Sequence, residues 1–231
     1  IAPLALKDLR KQDWPWRGYT IRYTVEGTGQ PLVLIHGFGA SIGHWRKNIP
    51  VLAAAGYQVH ALDLLGFGDS GKPAIDYSLD LWVALLKDYW QTHIQQPAVF
   101  IGNSIGGLLT LMMLAEAPEM ASGGVLLNCA GGLNHRPDEL ALPLRVVMGT
   151  FRQVYRNREA ITEELVEMLH GPSCDPGAQK VFAAIVTAPP GPRPEELLPQ
   201  IKQPLLVLWG ENDPWTPIKG ADIYRRLSGD A

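Results

Sequence analysis

Cysteine is scarce in this chain. Cys129 and Cys174 are the only two in 231 residues, far apart and without C-x-x-C spacing, which argues against a disulfide framework and against a cysteine-rich metal site. Both are expected as small core or lid residues in a reducing compartment. Long hydrophobic runs are also missing: the longest, Leu108 to Ala115, is broken by Thr110 and falls well short of the roughly 20 residues a membrane span needs. Neither charge sign dominates. Twenty Lys and Arg face 23 Asp and Glu, a formal charge of −3 with no block of one sign, so a nucleic-acid footprint is not expected. The arginines around Tyr155, from Arg152 to Arg158, read as a solvated helix face. Residues Ile1 to Trp16 lack the basic-then-apolar layout of a secretion signal.

What is present describes a compact α/β chain. Hydrophobic residues make up 46 % and charged ones 19 %, which suits one domain, or one domain with a lid. Short β-branched and Leu-rich runs at Tyr19–Glu26, Pro31–His36, Tyr57–Asp63, Pro97–Gly102, Gly123–Asn128 and Pro204–Gly210 alternate with segments of helical period. That alternation predicts a mostly parallel sheet with helices on both faces. The first run alternates in polarity and suits an antiparallel edge; the others are nearly all apolar and are expected to be central. Ser78 can cap a helix whose Trp82, Leu85, Leu86, Tyr89 and Trp90 form one stripe. A second helix is expected from Ser104 to Ala117, stopped by Pro118. From Pro137 to Ala188 the sequence reads as consecutive helices, with Asp175 an N-cap and Pro176 the first helical residue. The expected division is therefore a core over 1–136, a helical lid over 137–194, and a return to the core over 195–231.

The chemistry concentrates at strand ends. Gly102-Asn103-Ser104-Ile105-Gly106-Gly107 fits the G-x-S-x-G elbow, where a strained strand-to-helix turn projects a serine hydroxyl and the flanking glycines let strand and helix approach. Ser104 is the candidate nucleophile. His36-Gly37-Phe38-Gly39 follows an earlier buried strand, and the N–H groups of Phe38 and Ile105 can converge on one oxygen as an oxyanion hole. His36 itself reads as structural, holding its turn by hydrogen bonding. Beyond the last strong strand, Asp213 is the candidate acid, with Glu211 as competitor; Asn128, at the end of the preceding strand, cannot supply a charge. The base is the gap: all six histidines, His36, His44, His60, His93, His135 and His170, precede Asp213. His44 and His135 could lie near the mouth of the site but read as loop histidines.

Together these residues resemble the α/β-hydrolase fold superfamily from Trp16 onward. HGFGASIGHWRKNIPVLA at His36 to Ala53, ALDLLGFGDSGKP at Ala61 to Pro73, YSLDLW at Tyr77 to Trp82, GNSIGG at Gly102 to Gly107 and LLNCAGG at Leu126 to Gly132 are similar to chlorophyll dephytylase and pheophytinase. The resemblance implies a serine esterase cleaving the phytyl ester of chlorophyll or pheophytin, in the cytoplasm or at the thylakoids of a cyanobacterium, or in a plastid. It assigns Ser104 as nucleophile, Asp213 as triad acid, and the Phe38 and Ile105 amides as the oxyanion hole. In that family a further strand and a loop bearing the histidine follow the position of Ala231, and segments of lid and C-terminus are expected beyond the residues given. No metal or organic cofactor is implied. The expected partner is a hydrophobic small-molecule ester, with no nucleic acid and with peripheral membrane contact left open. Independently of the family, Leu140, Leu142, Leu144, Val146, Val147, Met148 and Phe151 supply apolar surface suited to a greasy substrate or to lid packing. The alternatives are a carbon–carbon bond hydrolase of the meta-cleavage type, whose elbow GNSIGG also resembles, and a binding protein that kept the fold without its base.

Overall fold

The computed structural model describes residues 8–129, 155, 157–213 and 216–227. The apolar cluster from Leu140 to Phe151, the residues Asn134 to Arg136, and the expected lid up to residue 154 lie outside the described residues. So do Arg152 and Arg156.

Seven strands form one sheet: β1 (Gln12–Trp16), β2 (Tyr19–Glu26), β3 (Gln30–Ile35), β4 (Tyr57–Leu62), β5 (Ala98–Asn103), β6 (Ala121–Leu127) and β7 (Leu205–Leu208). Their order across the sheet is β1-β2-β4-β3-β5-β6-β7. β1 pairs antiparallel with β2 and β2 with β4, and every pairing from β4 to β7 is parallel. The chain order reverses around β3, which lies between β4 and β5. In open α/β sheets a crevice opens at such a point, outside the carboxyl ends of the strands.

The helices follow from their apolar stripes and caps. The Ser78 hydroxyl accepts the Leu81 N–H at 3.1 Å and starts α2 (Leu79–His93), after the short α1 (Ile49–Ala54). The stripe Trp82, Leu85, Leu86 and Tyr89 is buried as its period requires, while Trp90 packs half-buried against the core. Helix α3 (Ile105–Glu116) is buried from Ile105 through Leu114, so it is central and needs no polar face. Farther along come α4 (Glu163–Ser173), α5 (Ala178–Val186) and α6 (Pro194–Leu197), with α7 (Asp222–Leu227) after β7. No helix among the described residues is long and apolar enough to cross a membrane.

Three expectations change. The sheet edge is β1 rather than Tyr19–Glu26; its Pro15 is tolerated because an edge strand has one side free of the ladder. Second, β7 is not central among the described residues: it is the last strand, with Leu206 53 % and Leu208 48 % exposed. Third, α5 starts at Ala178 behind Gly177, which takes a φ of +92°, and not behind Asp175. The Asp175 carboxylate is instead drawn to Lys72 Nζ at 2.7 Å. Neither cysteine forms a disulfide among the described residues; Cys129 is buried and Cys174 exposed.

Candidate active site

Ser104 sits between β5 and α3 at φ 54°, ψ −118°, a left-handed backbone that a residue with a Cβ rarely adopts and that costs about 1–3 kcal/mol. The neighbouring glycines permit the bend. A Cβ on Gly102 would lie 2.0 Å from the Gly106 carbonyl oxygen, and one on Gly106 would lie 2.3 Å from the Ile35 carbonyl oxygen. The turn is tied down by the Ser104 N–H donating to Leu127 O at 3.0 Å and by Asn103 Nδ2 donating to the same oxygen at 3.1 Å. Ile105 is the first residue of α3, so its amide precedes the helix's own hydrogen-bond ladder.

The loop after β3 runs directly against this bend. A Cβ on Gly37 would come within 3.3 Å of Ser104 Cβ and 3.0 Å of Asn103 Oδ1. Phe38 therefore follows a residue in contact with the elbow. Its ring is half-buried and packs edge-on against Phe67, centroids 5.6 Å apart, and against Phe182 of α5 at 4.9 Å. His36 holds the start of this loop, as expected. Its Nε2 accepts the Leu64 N–H at 3.0 Å, so the proton lies on Nδ1, which donates to Gly37 O at 2.7 Å. Complete burial pushes its pKa down to about 4, and the ring stays neutral near pH 7.

Asp213 lies in the turn after β7, half-buried. Its Oδ2 accepts from Asn128 Nδ2 at 2.6 Å and its Oδ1 from the Thr216 N–H at 3.0 Å. Glu211, the competitor, is exposed in the same turn. Ser104 and Asp213 follow strands separated only by β6, which sets the strand ends about 10 Å apart.

Asn128 is the residue that sequence reasoning set aside. At the end of β6 it adopts φ +46°, and besides holding Asp213 it accepts the Gly210 N–H at 3.2 Å through Oδ1. An Asn closing a strand is a signal for left-handed backbone, but its partner 85 residues away is not visible in the sequence. The described histidines are engaged elsewhere. His44 Nδ1 accepts the Ser41 N–H, His60 contacts Tyr89 Oη and Gln58 Oε1, His93 packs among Trp14, Tyr23 and Tyr89, and His170 lies against Cys174. His135 is outside the described residues.

Helices α4 and α5 close over the loop after β4. Between them and Gly39, Phe67 and Lys72 opens a cleft walled by Leu169, Val181 and Phe182. Lys72 Nζ bonds Gly68 O and bridges to Asp175, leaving the cleft lining mainly apolar. No group of three or more His, Cys, Asp or Glu placed to hold a metal ion occurs among the described residues.

Residues 32–229 match the alpha/beta hydrolase family. The chain belongs to the α/β-hydrolase family. It is 40 % identical over 118 residues to a 2-hydroxy-6-oxo-6-(2'-aminophenyl)hexa-2,4-dienoic acid hydrolase of Metapseudomonas resinovorans, a match covering 49 % of this chain but only 40 % of that protein. To a 2-hydroxy-6-oxo-2,4-heptadienoate hydrolase of Pseudomonas putida it is 29 % identical over 212 residues, 84 % of this chain and 75 % of the relative. Among solved structures, a serine hydrolase involved in carbazole degradation superposes with a TM-score of 0.82 at 26 % identity, covering 95 % of this chain and 86 % of that one. These two relatives of this α/β-hydrolase are dienoic acid hydrolases and not pigment esterases. The resemblance to chlorophyll dephytylase and pheophytinase is thus upheld at the level of the superfamily alone.

Proposed function

We propose that this α/β-hydrolase is a serine-dependent enzyme that cleaves the carbon–carbon bond beside a ketone in a small 2-hydroxy-6-oxo dienoic acid. The observation that carries the reading is Ser104, held in left-handed backbone against the Phe38 loop in a chain whose relatives hydrolyse such acids. Ser104 Oγ adds to the ketone carbon, and the oxygen that gains charge is met by the N–H groups of Phe38 and Ile105. A preorganised donor of this kind is worth about 2.7–4 kcal/mol. The carbon–carbon bond then breaks, the departing carbon takes up a proton, and one water hydrolyses the acyl-Ser104 to a carboxylic acid. Asp213, held by Asn128 and the Thr216 amide, is the carboxylate placed to orient a proton-shuttling imidazole in such a reaction. The described histidines do not supply that imidazole: His36 is committed to Leu64 and Gly37, and no histidine follows Asp213 in the sequence.

A second reading, hydrolysis of a hydrophobic ester such as the phytyl ester of chlorophyll or pheophytin, is favoured by the apolar walls of the cleft at Leu169, Val181 and Phe182. The same serine and amides serve both reactions. A substrate panel containing a 2-hydroxy-6-oxo dienoic acid and a pigment phytyl ester separates them. Turnover of the dienoic acid that disappears in Ser104→Ala supports the first reading, and phytol release without dienoate cleavage supports the second. Failure of a fluorophosphonate to label Ser104 favours a non-catalytic binding protein.

A further inference from the structure

The motif Ala61 to Pro73 contains a fully buried carboxylate, Asp63, with no role in the chemistry above. His36 and Asp63 occupy equivalent places, each the first residue beyond adjacent parallel strands whose last residues, Ile35 and Leu62, are paired. Each sends its side chain into the other's loop. His36 Nε2 takes the Leu64 N–H at 3.0 Å, and Asp63 Oδ1 takes the Ile42 N–H at 2.6 Å. The second carboxylate oxygen accepts the Asp69 N–H at 2.8 Å, and Ser70 Oγ donates to the Asp63 carbonyl at 2.6 Å while accepting the Arg22 N–H at 2.8 Å. A Cβ on Gly68 would lie 2.3 Å from the carboxylate, so its loop wraps the group closely. The segment from Gly37 to Ser41, which includes Phe38, is thereby pinned at both ends.

We propose that Asp63 is a positioning residue for the oxyanion loop: with His36 it cross-braces the loops after β3 and β4 and so holds the Phe38 amide toward Ser104. The inference rests on the reading of that amide as an oxyanion donor. A buried carboxylate is costly to keep ionised, and protonation turns one of its oxygens into an O–H donor and weakens both as acceptors of the Ile42 and Asp69 N–H groups. Burial pushes its pKa up to about 6, against the opposing pull of the two amides and of Lys11. The charged neighbours acting on it are Asp69 from its own loop and Lys11 from the segment before β1, which is paired with Asp69; the neutral His36 ring is committed to the Leu64 N–H beside it. Arg22 of β2 approaches only through its backbone N–H on Ser70.

The test uses the full-length protein and two readouts. The first is the rate constant for fluorophosphonate labelling of Ser104 in wild type and Asp63→Asn. The second is the Ile42 amide resonance followed by NMR from pH 7.5 to 4.5. The expected results are at least a tenfold slower rate constant in Asp63→Asn, set against the roughly 10²–10³ of losing a donor outright, and an Ile42 resonance that moves with a midpoint near pH 6 in wild type. Equal rate constants, a loss confined to the fraction of protein that can be labelled, or an Ile42 resonance that is flat in wild type would each overturn the inference while leaving Ser104 as nucleophile. The wild-type titration needs no variant to fold. Wild type unlabelled at Ser104 would instead remove the catalytic reading, and the positioning role with it.

Discussion

At the scale of single residues, the bend that carries Ser104 depends on two positions with no side chain. Gly102 and Gly106 are demanded by any sharp strand-to-helix turn, and the contacts a Cβ would make, 2.0 Å and 2.3 Å from backbone oxygens, bear out that expectation. Gly106→Ala is therefore expected to destabilise the fold by about 3 kcal/mol or more, the upper range for overpacking, measured by urea unfolding. Asn128 shows the opposite case. Its uncharged side chain excluded it as an acid, yet its amide sits 2.6 Å from the Asp213 carboxylate. A hydrogen bond to a charged group contributes about 1.5–3 kcal/mol, so Asn128→Ala is expected to lower kcat by about 10- to 100-fold with KM nearly unchanged. An Asn128→Ala enzyme with wild-type kcat would show that Asp213 needs no such support.

At the scale of elements, strong periodicity and caps carried through, while weak patterns did not. The α2 stripe and its Ser78 cap depend on contacts within a few residues and appear where expected. Leu85, fully buried on that stripe, is expected to cost about 2–5 kcal/mol on truncation to Ala, whereas Lys87→Ala, at a surface ion pair with Glu116, should stay within about 1 kcal/mol. Urea midpoints of the two variants check this contrast. Strand β1 leaves little trace in the sequence because it is short, polar at its start and interrupted by Pro15; its identity comes from pairing with β2. The start of α5 moved because Asp175 binds Lys72, a residue 103 positions away. Apolar composition likewise could not tell that β7 ends the described sheet.

At the scale of the whole molecule, the sheet brings the loops after β3 and β5 together at the reversal of strand order, and this positions the Ser104 elbow beside Phe38. The same burial makes stability depend on pH. His36, His44 and His60 are pushed down to about 4 from 6.5, chiefly by desolvation. Their contribution is present above pH 6.5, where they are neutral in both states, and is lost as pH falls toward 4 because the unfolded chain binds the protons first. Asp63 acts with opposite sign, since its raised pKa favours the folded state on protonation through about 6. Three histidines outweigh one aspartate, so the urea midpoint is expected to fall between pH 7 and pH 4.5; an unchanged or rising midpoint would contradict this balance. The most direct test of the catalytic geometry is a crystal structure of the fluorophosphonate adduct. The phosphonyl group is expected on Ser104 Oγ, with one oxygen about 2.7–3.1 Å from both the Phe38 and Ile105 nitrogens. An adduct at another residue, or an oxygen turned away from those two amides, would contradict it.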